Sequence, residues 1–104
     1  MTNGVKNGAK KKLLEKYELR LYVSGSTEKS LRAIKNLREI CEEYLLGRYD
    51  LKVIDIYQQP ALAKGEQIIA VPTLIKLLPG KLKRFIGDLS DRQKVIFGLD
   101  IIPI

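Results

Sequence analysis

Histidine and tryptophan are missing from this 104-residue chain, and cysteine and methionine each occur once. Without histidine there is no Ser–His or Cys–His dyad and no imidazole ligand for zinc. A lone cysteine, Cys41, excludes an internal disulfide and a Cys-x-x-Cys pair. Long apolar runs are missing too. The longest stretch without a charge is the nine residues Gln67 to Ile75, interrupted by Pro72, against the roughly 20 needed to span a bilayer. No apolar segment follows the first lysines, so no secretory signal is predicted. A soluble cytoplasmic protein is the expectation. What is present is globular: 45% hydrophobic and 30% charged residues, at a length suited to one domain with one core.

The formal charge is +7, and residues 1–16 supply +4 of it, with five lysines against one glutamate. Such a run has the charge to contact phosphate backbones through Lys10, Lys11 and Lys12. No aromatic residue interleaves them and no base-reading motif follows. Residues 1–16 are therefore read as a basic, solvated, mobile arm, and 17–104 as a single domain. Nucleic acid is not the expected partner.

Along the domain, Tyr17, Leu19, Leu21 and Val23 alternate with Glu18, Arg20 and Tyr22, the period of a strand. Ser24 to Thr27 form a turn, with Ser26 or Thr27 placed to cap a helix. Leu31, Ile34, Leu37, Arg38, Cys41, Tyr44 and Leu45 recur at steps of three and four. Apart from Arg38 this is an apolar stripe, and it predicts a helix over 28–46 ended by Gly47. Leu51 to Tyr57 predicts a second strand, apolar enough for a sheet interior. Strand, helix and strand make a βαβ unit.

The second half sends mixed signals. Pro60 suits the first turn of a short helix within 58–67. Thr73 to Leu78 and Lys81 to Ile86 read as strands joined by Pro79-Gly80. Ser90 with Gln93 forms a capping box, which opens a helix from about 91. Yet that helix contains β-branched residues and Gly98, which costs about 1 kcal/mol relative to alanine in a helix interior. Gln67 to Leu78 is apolar without a period that assigns it. The plain reading is a buried strand and a frayed last helix. The resulting order, βαβ-α-ββ-α, is that of thioredoxin-like proteins.

Few residues offer chemistry. Val71-Pro72-Thr73 resembles the thioredoxin-like element in which the proline is cis, so Pro72 is expected in the cis form. The turn after the first strand, Ser24 to Thr27, holds no thiol, and Cys41 falls on the apolar stripe as a structural thiol. Ser24-Gly25-Ser26 is too short for a phosphate loop and lacks its lysine. Asp55, Asp88 and Asp91 form no carboxylate pair suited to acid–base work. No catalytic residue, metal site or cofactor is assigned. A redox enzyme and a nucleic-acid module remain as rival readings to a binding protein.

Six segments are more specific: Leu21-Tyr22-Val23-Ser24-Gly25-Ser26-Thr27, Ser30-Leu31-Arg32-Ala33, Leu51-Lys52-Val53-Ile54-Asp55, Val71-Pro72-Thr73-Leu74, Ile86-Gly87-Asp88-Leu89-Ser90-Asp91-Arg92 and Gly98-Leu99-Asp100. In order and spacing they closely resemble the KaiB family, small partners of the cyanobacterial clock ATPase KaiC. The sensor domain of the clock histidine kinase SasA is a related, weaker match, since no kinase follows. The resemblance implies an α/β fold of KaiB thioredoxin-like type, no enzymatic activity and binding to a KaiC-type ATPase. It also implies metamorphism. A ground state of order βαββααβ, assembled as a homotetramer, would interconvert with a rarer thioredoxin-like monomer that binds the ATPase.

Positions matching the family's basic binding surface are Arg32, Lys52, Lys76 and Arg84. Those matching the switch are Gly98 and Asp100, where helix propensity and local charge bias one arrangement over the other. Three departures stand out. Pro79-Gly80-Lys81 replaces a Pro-x-Pro, Asp50 replaces a small residue before Leu51-Lys52, and the basic arm is longer than the family pattern. Outside cyanobacteria such proteins are linked to stress adaptation rather than a complete clock.

Overall fold

The computed structural model describes residues 15–101. Most of the basic arm and Ile102 to Ile104 therefore lie outside the described residues. Strand β1 (Tyr17–Val23) leads through helix α1 (Glu28–Tyr44) to strand β2 (Tyr49–Asp55). Helix α2 (Pro60–Gly65), strands β3 (Thr73–Leu78) and β4 (Lys83–Ile86) and helix α3 (Arg92–Gly98) follow. The element order is the predicted one. The sheet order is β2-β1-β3-β4, with β1 parallel to β2 and antiparallel to β3.

Local chemistry sets the boundaries. Thr27 caps α1, its Oγ1 accepting from the Ser30 amide at 3.3 Å, while Ser30 Oγ accepts from the Ser24 amide at 3.0 Å. Helix α1 stops at Tyr44 rather than 46, because the Leu45 amide caps the Cys41 carbonyl and Gly47, at φ +75°, turns the chain away. The buried face is also rotated from the predicted stripe. Ser30, Ala33, Leu37, Ile40 and Cys41 are buried, and Leu31 is 52% exposed. The small Ser30 and Ala33 occupy the side that meets the sheet.

Strand β2 ends two residues earlier than expected. Asp55 Oδ1 accepts from the Tyr57 amide at 2.8 Å, and its carbonyl accepts from Gln58 and Gln59, which closes a turn. The strand lies at the sheet edge, not in its interior, and Asp50 and Lys52 on it are exposed. The Val71–Pro72 peptide is cis as expected, and Leu78–Pro79 is cis as well. Strand β4 begins at Lys83 rather than Lys81. Asp91, not Ser90, caps α3. Asp88 Oδ1 takes the Ser90 amide at 3.0 Å, which leaves Asp91 Oδ1 to accept from Lys94 at 3.2 Å.

Helix α3 ends in order rather than fraying. The Ile101 amide bonds the Ile96 carbonyl at 3.2 Å and the Asp100 amide bonds Phe97 at 3.1 Å, with Asp100 left-handed at φ +56°. This is a Schellman closure, whose left-handed residue is usually glycine.

One sheet face carries the main core, in which Leu19, Leu21, Val23 and Leu74 pack against Leu37, Ile40, Cys41, Val95 and Leu99. The other carries a smaller cluster of Tyr22, Ile54, Ala63 and Ile75 beneath α2. Tyr22 is fully buried there, and its hydroxyl has no hydrogen-bond partner among the described residues. An unpaired buried hydroxyl costs about 1–3 kcal/mol. Tyr22→Phe, which keeps the ring, is expected to leave the unfolding free energy unchanged or raise it by about 1 kcal/mol. Urea titration checks this; a loss larger than that would show that the hydroxyl is satisfied.

Candidate functional site

Thiol chemistry is closed off. Cys41 is fully buried on the core face of α1, and burial, with Glu42 beside it, pushes its pKa up to about 12 against the opposing pull of Arg38. In the turn at Ser24 to Thr27 the Thr27 hydroxyl is engaged in capping, accepting from the Ser30 amide, and no thiol is present. Asp88 is a structural acceptor. Hydrogen bonds from Ser90 and then Arg32 hold its carboxyl below the usual carboxylate range. Among the described residues no three His, Cys, Asp or Glu side chains converge to hold a metal ion.

The sheet register sorts the four basic positions. Lys52 pairs across β2–β1 with Arg20, Arg20 pairs with Ile75 on β3, and Ile75 pairs with Arg84 on β4. Lys52, Arg20 and Arg84 thus share one row on the face that also carries Tyr22. Glu66, just after α2, lies 3.9 Å from Arg20 and 3.6 Å from Arg84, and its carbonyl accepts from Arg84 at 2.9 Å. Arg20 was not singled out from the sequence. It alternates with apolar residues, but only strand pairing reveals its place beside Lys52.

The other two positions go elsewhere. Lys76 neighbours Ile75 and so points to the opposite face. There it is 1% exposed and its Nζ donates to the Pro79 carbonyl. Burial lowers its pKa, with Asp100 opposing. Arg32 projects from α1 and pairs with Glu28 and with Asp88, both at 3.2 Å. Together with Asn36, which donates to the Asp88 carbonyl at 2.9 Å, it fastens α1 to the loop before α3.

Gly98 and Asp100 meet at the end of α3. A Cβ at Gly98 would overlap the ring of Phe85 on β4, so this residue allows close helix–sheet approach. The Asp100 carbonyl accepts from the Tyr17 hydroxyl at 2.9 Å, and its carboxylate pairs with Lys83 at 3.4 Å. These bonds fasten the end of α3 to β1 and β4. Beside them opens a cleft of about 600 Å³ lined by Tyr17, Pro79, Gly80, Phe97, Asp100 and Ile101.

The sequence model described as the KaiB domain matches residues 20–101. The chain belongs to the KaiB family. The curated "Circadian clock oscillator protein KaiB" of Synechococcus sp. (strain RCC307) is 55% identical over 83% of this chain and 78% of its own length. Its counterpart in Trichodesmium erythraeum (strain IMS101) is 51% identical over 86% of both chains. Among solved structures, the N-terminal domain of Synechococcus elongatus SasA aligns with a TM-score of 0.67 at 23% identity, covering 83% of this chain and 85% of that one. Chloroplastic thioredoxin z aligns at 0.68 and 17% identity, covering 93% and 89%. These likenesses establish a thioredoxin-like fold for this KaiB-family chain.

Gly98 and Phe85 are predicted to be energetically coupled. Gly98→Ala gains about 1 kcal/mol of helix propensity but must displace the Phe85 ring, and overpacking of this kind costs about 1–3 kcal/mol. In a Phe85→Leu background the helix gain is expected to emerge largely unopposed. A double-mutant cycle of unfolding free energies measures this; equal effects of Gly98→Ala in both backgrounds would refute the coupling.

Proposed function

We propose that this chain is a non-enzymatic KaiB-family regulator that binds a KaiC-type ATPase and modulates its phosphorylation or signalling, in a circadian-clock or stress-adaptation system. The observation that carries the reading is the 55% identity to clock oscillator proteins over 83% of the chain. The exposed Lys52 and Arg84, in one row with half-buried Arg20, support it, as does the sealed state of Cys41. Lys52 and Arg84, with Arg20 between them, contact the partner directly. Arg32 and Lys76 act from their present positions by holding the loop before α3 and the β3–β4 turn. Residues 17–104 carry the function in the cytoplasm, with 1–16 as an appended basic arm.

The mechanism is conformational selection. The thioredoxin-like arrangement binds, while a βαββααβ homotetramer holds the rest of the protein in reserve. If a fraction f is competent, apparent affinity falls by that fraction, and dilution favours the monomer by mass action. Gly98 and Asp100 set the balance, because both act only where α3 closes on β1 and β4.

Mass photometry with the host's KaiC-type ATPase tests this. The expected result is a complex that grows over long incubation. Lys52→Ala with Arg84→Ala is expected to weaken it about fivefold or more, in line with roughly 0.5–1 kcal/mol for each partly exposed charge. Absence of any complex, even with Asp100→Arg, would defeat the proposal.

A further inference from the structure

The cleft at the end of α3 lies away from the basic row, and none of Arg20, Lys52 and Arg84 lines it. Its volume of about 600 Å³ is within the range of small-ligand sites. Strand β1 supplies Tyr17, the β3–β4 turn supplies Pro79 and Gly80, α3 and its closure supply Phe97, Asp100 and Ile101, and Glu15 completes the wall. Phe97 is 86% exposed, an uncovered ring. Beside the Pro79-Gly80 wall lies Lys76. The residue is 1% exposed, its ammonium carries three donors, and among the described residues only the Pro79 carbonyl accepts from it. Two buried donors are left without a partner, which costs free energy until an acceptor is supplied. A Cβ at Gly80 would stand 3.7 Å from Lys76 Nζ, so the bare glycine thins the wall between these donors and the cleft. The charges that line the cleft itself are of the opposite sign. Glu15 is half-buried and forms no ion pair with another described residue, and the Asp100 carboxylate, 3.4 Å from Lys83, is 68% exposed. Burial lowers the pKa of Lys76, while Asp100 and Glu15 act against Lys83 to raise it, so both carboxylates are felt at the ammonium.

We infer that this cleft is a binding site for a small zwitterion with an aromatic body, the chemistry of a free aromatic amino acid. The ligand's carboxylate meets the spare donors of Lys76 at Gly80, its ammonium lies against Glu15 and Asp100, and its ring packs on Phe97 and Ile101. A simple anion would gain Lys76 and be repelled by two carboxylates. A simple cation would gain the carboxylates and leave the Lys76 donors unpaired. A molecule that holds both charges side by side satisfies all three groups. An occupied cleft stabilises the arrangement that builds it, by mass action. The inference goes beyond ATPase binding and does not depend on it.

The test is an NMR titration of the ¹⁵N-labelled full chain with three probes: L-phenylalanine, phenethylamine, which lacks the carboxylate, and hydrocinnamate, which lacks the ammonium. L-phenylalanine is expected to shift the amide signals of Gly80, Phe97, Asp100 and Ile101 saturably. Each singly charged probe is expected to bind about fivefold more weakly, the worth of one partly exposed charge contact. Phe97→Ala removes an exposed ring and keeps the backbone, and it is expected to weaken L-phenylalanine binding about fivefold as well. Glu15→Gln is expected to narrow the preference over hydrocinnamate. Absence of a saturable shift with L-phenylalanine, equal or tighter binding of either singly charged probe, or unchanged affinity in Phe97→Ala would overturn the inference.

Discussion

Strand β1 is the constraint on which the rest of the molecule depends. Its parallel edge with β2 is closed by α1, a crossover within residues 17–55. Its antiparallel edge with β3 is the only sheet pairing between that half and residues 58–101 among the described residues. The first half is thus built from near-neighbour contacts, and the second joins it through contacts distant in sequence. Leu19, Leu21 and Val23 on β1 form the floor of the main core, while Arg20 and Tyr22 on the same strand face the other way. One strand therefore positions the core, the basic row and the attachment of α3.

The second half is held to the first by a modest set of bonds beyond its buried apolar side chains. Arg92 pairs with Glu43 and sits 5.8 Å over the Tyr44 ring, Arg32 reaches Asp88, and Tyr17 donates to the Asp100 carbonyl. The ion pairs are solvent-exposed, and screening by water and salt leaves each of them weak. The left-handed Asp100 and the orphaned Tyr22 hydroxyl work against this arrangement. A chain proposed to re-pair its second half needs two arrangements separated by only a few kcal/mol. Weak fastening at the junction, with opposing local costs, is consistent with such a margin in the proposed mechanism.

Much of this was readable from residue pattern alone. The alternation at Tyr17 to Val23, the cap at Thr27, Pro60 at a helix start and the cis Pro72 all rest on interactions within a few residues, so the sequence carried them. The errors came where a distant partner decided the outcome. Asp88 is anchored by Arg32, 56 positions earlier, and it takes the Ser90 amide, which moved the cap of α3 to Asp91. Asp55 turned the chain before the apolar residues of the second strand were used up. The charge row was half visible: Lys52 and Arg84 were singled out on family resemblance. Arg20 needed the register, and so did Lys76, whose pairing with Leu19 sets it on the core side of the sheet.

In the proposed mechanism residues 17–55 keep one arrangement while residues 58–101 occupy two. NMR spectra of the ¹⁵N-labelled protein across a dilution series test this most directly. The result predicted is two slowly exchanging sets of amide peaks, confined to residues 58–101 and to the β1 residues that face β3, with the thioredoxin-like set gaining intensity on dilution. One set of peaks at every concentration would contradict it.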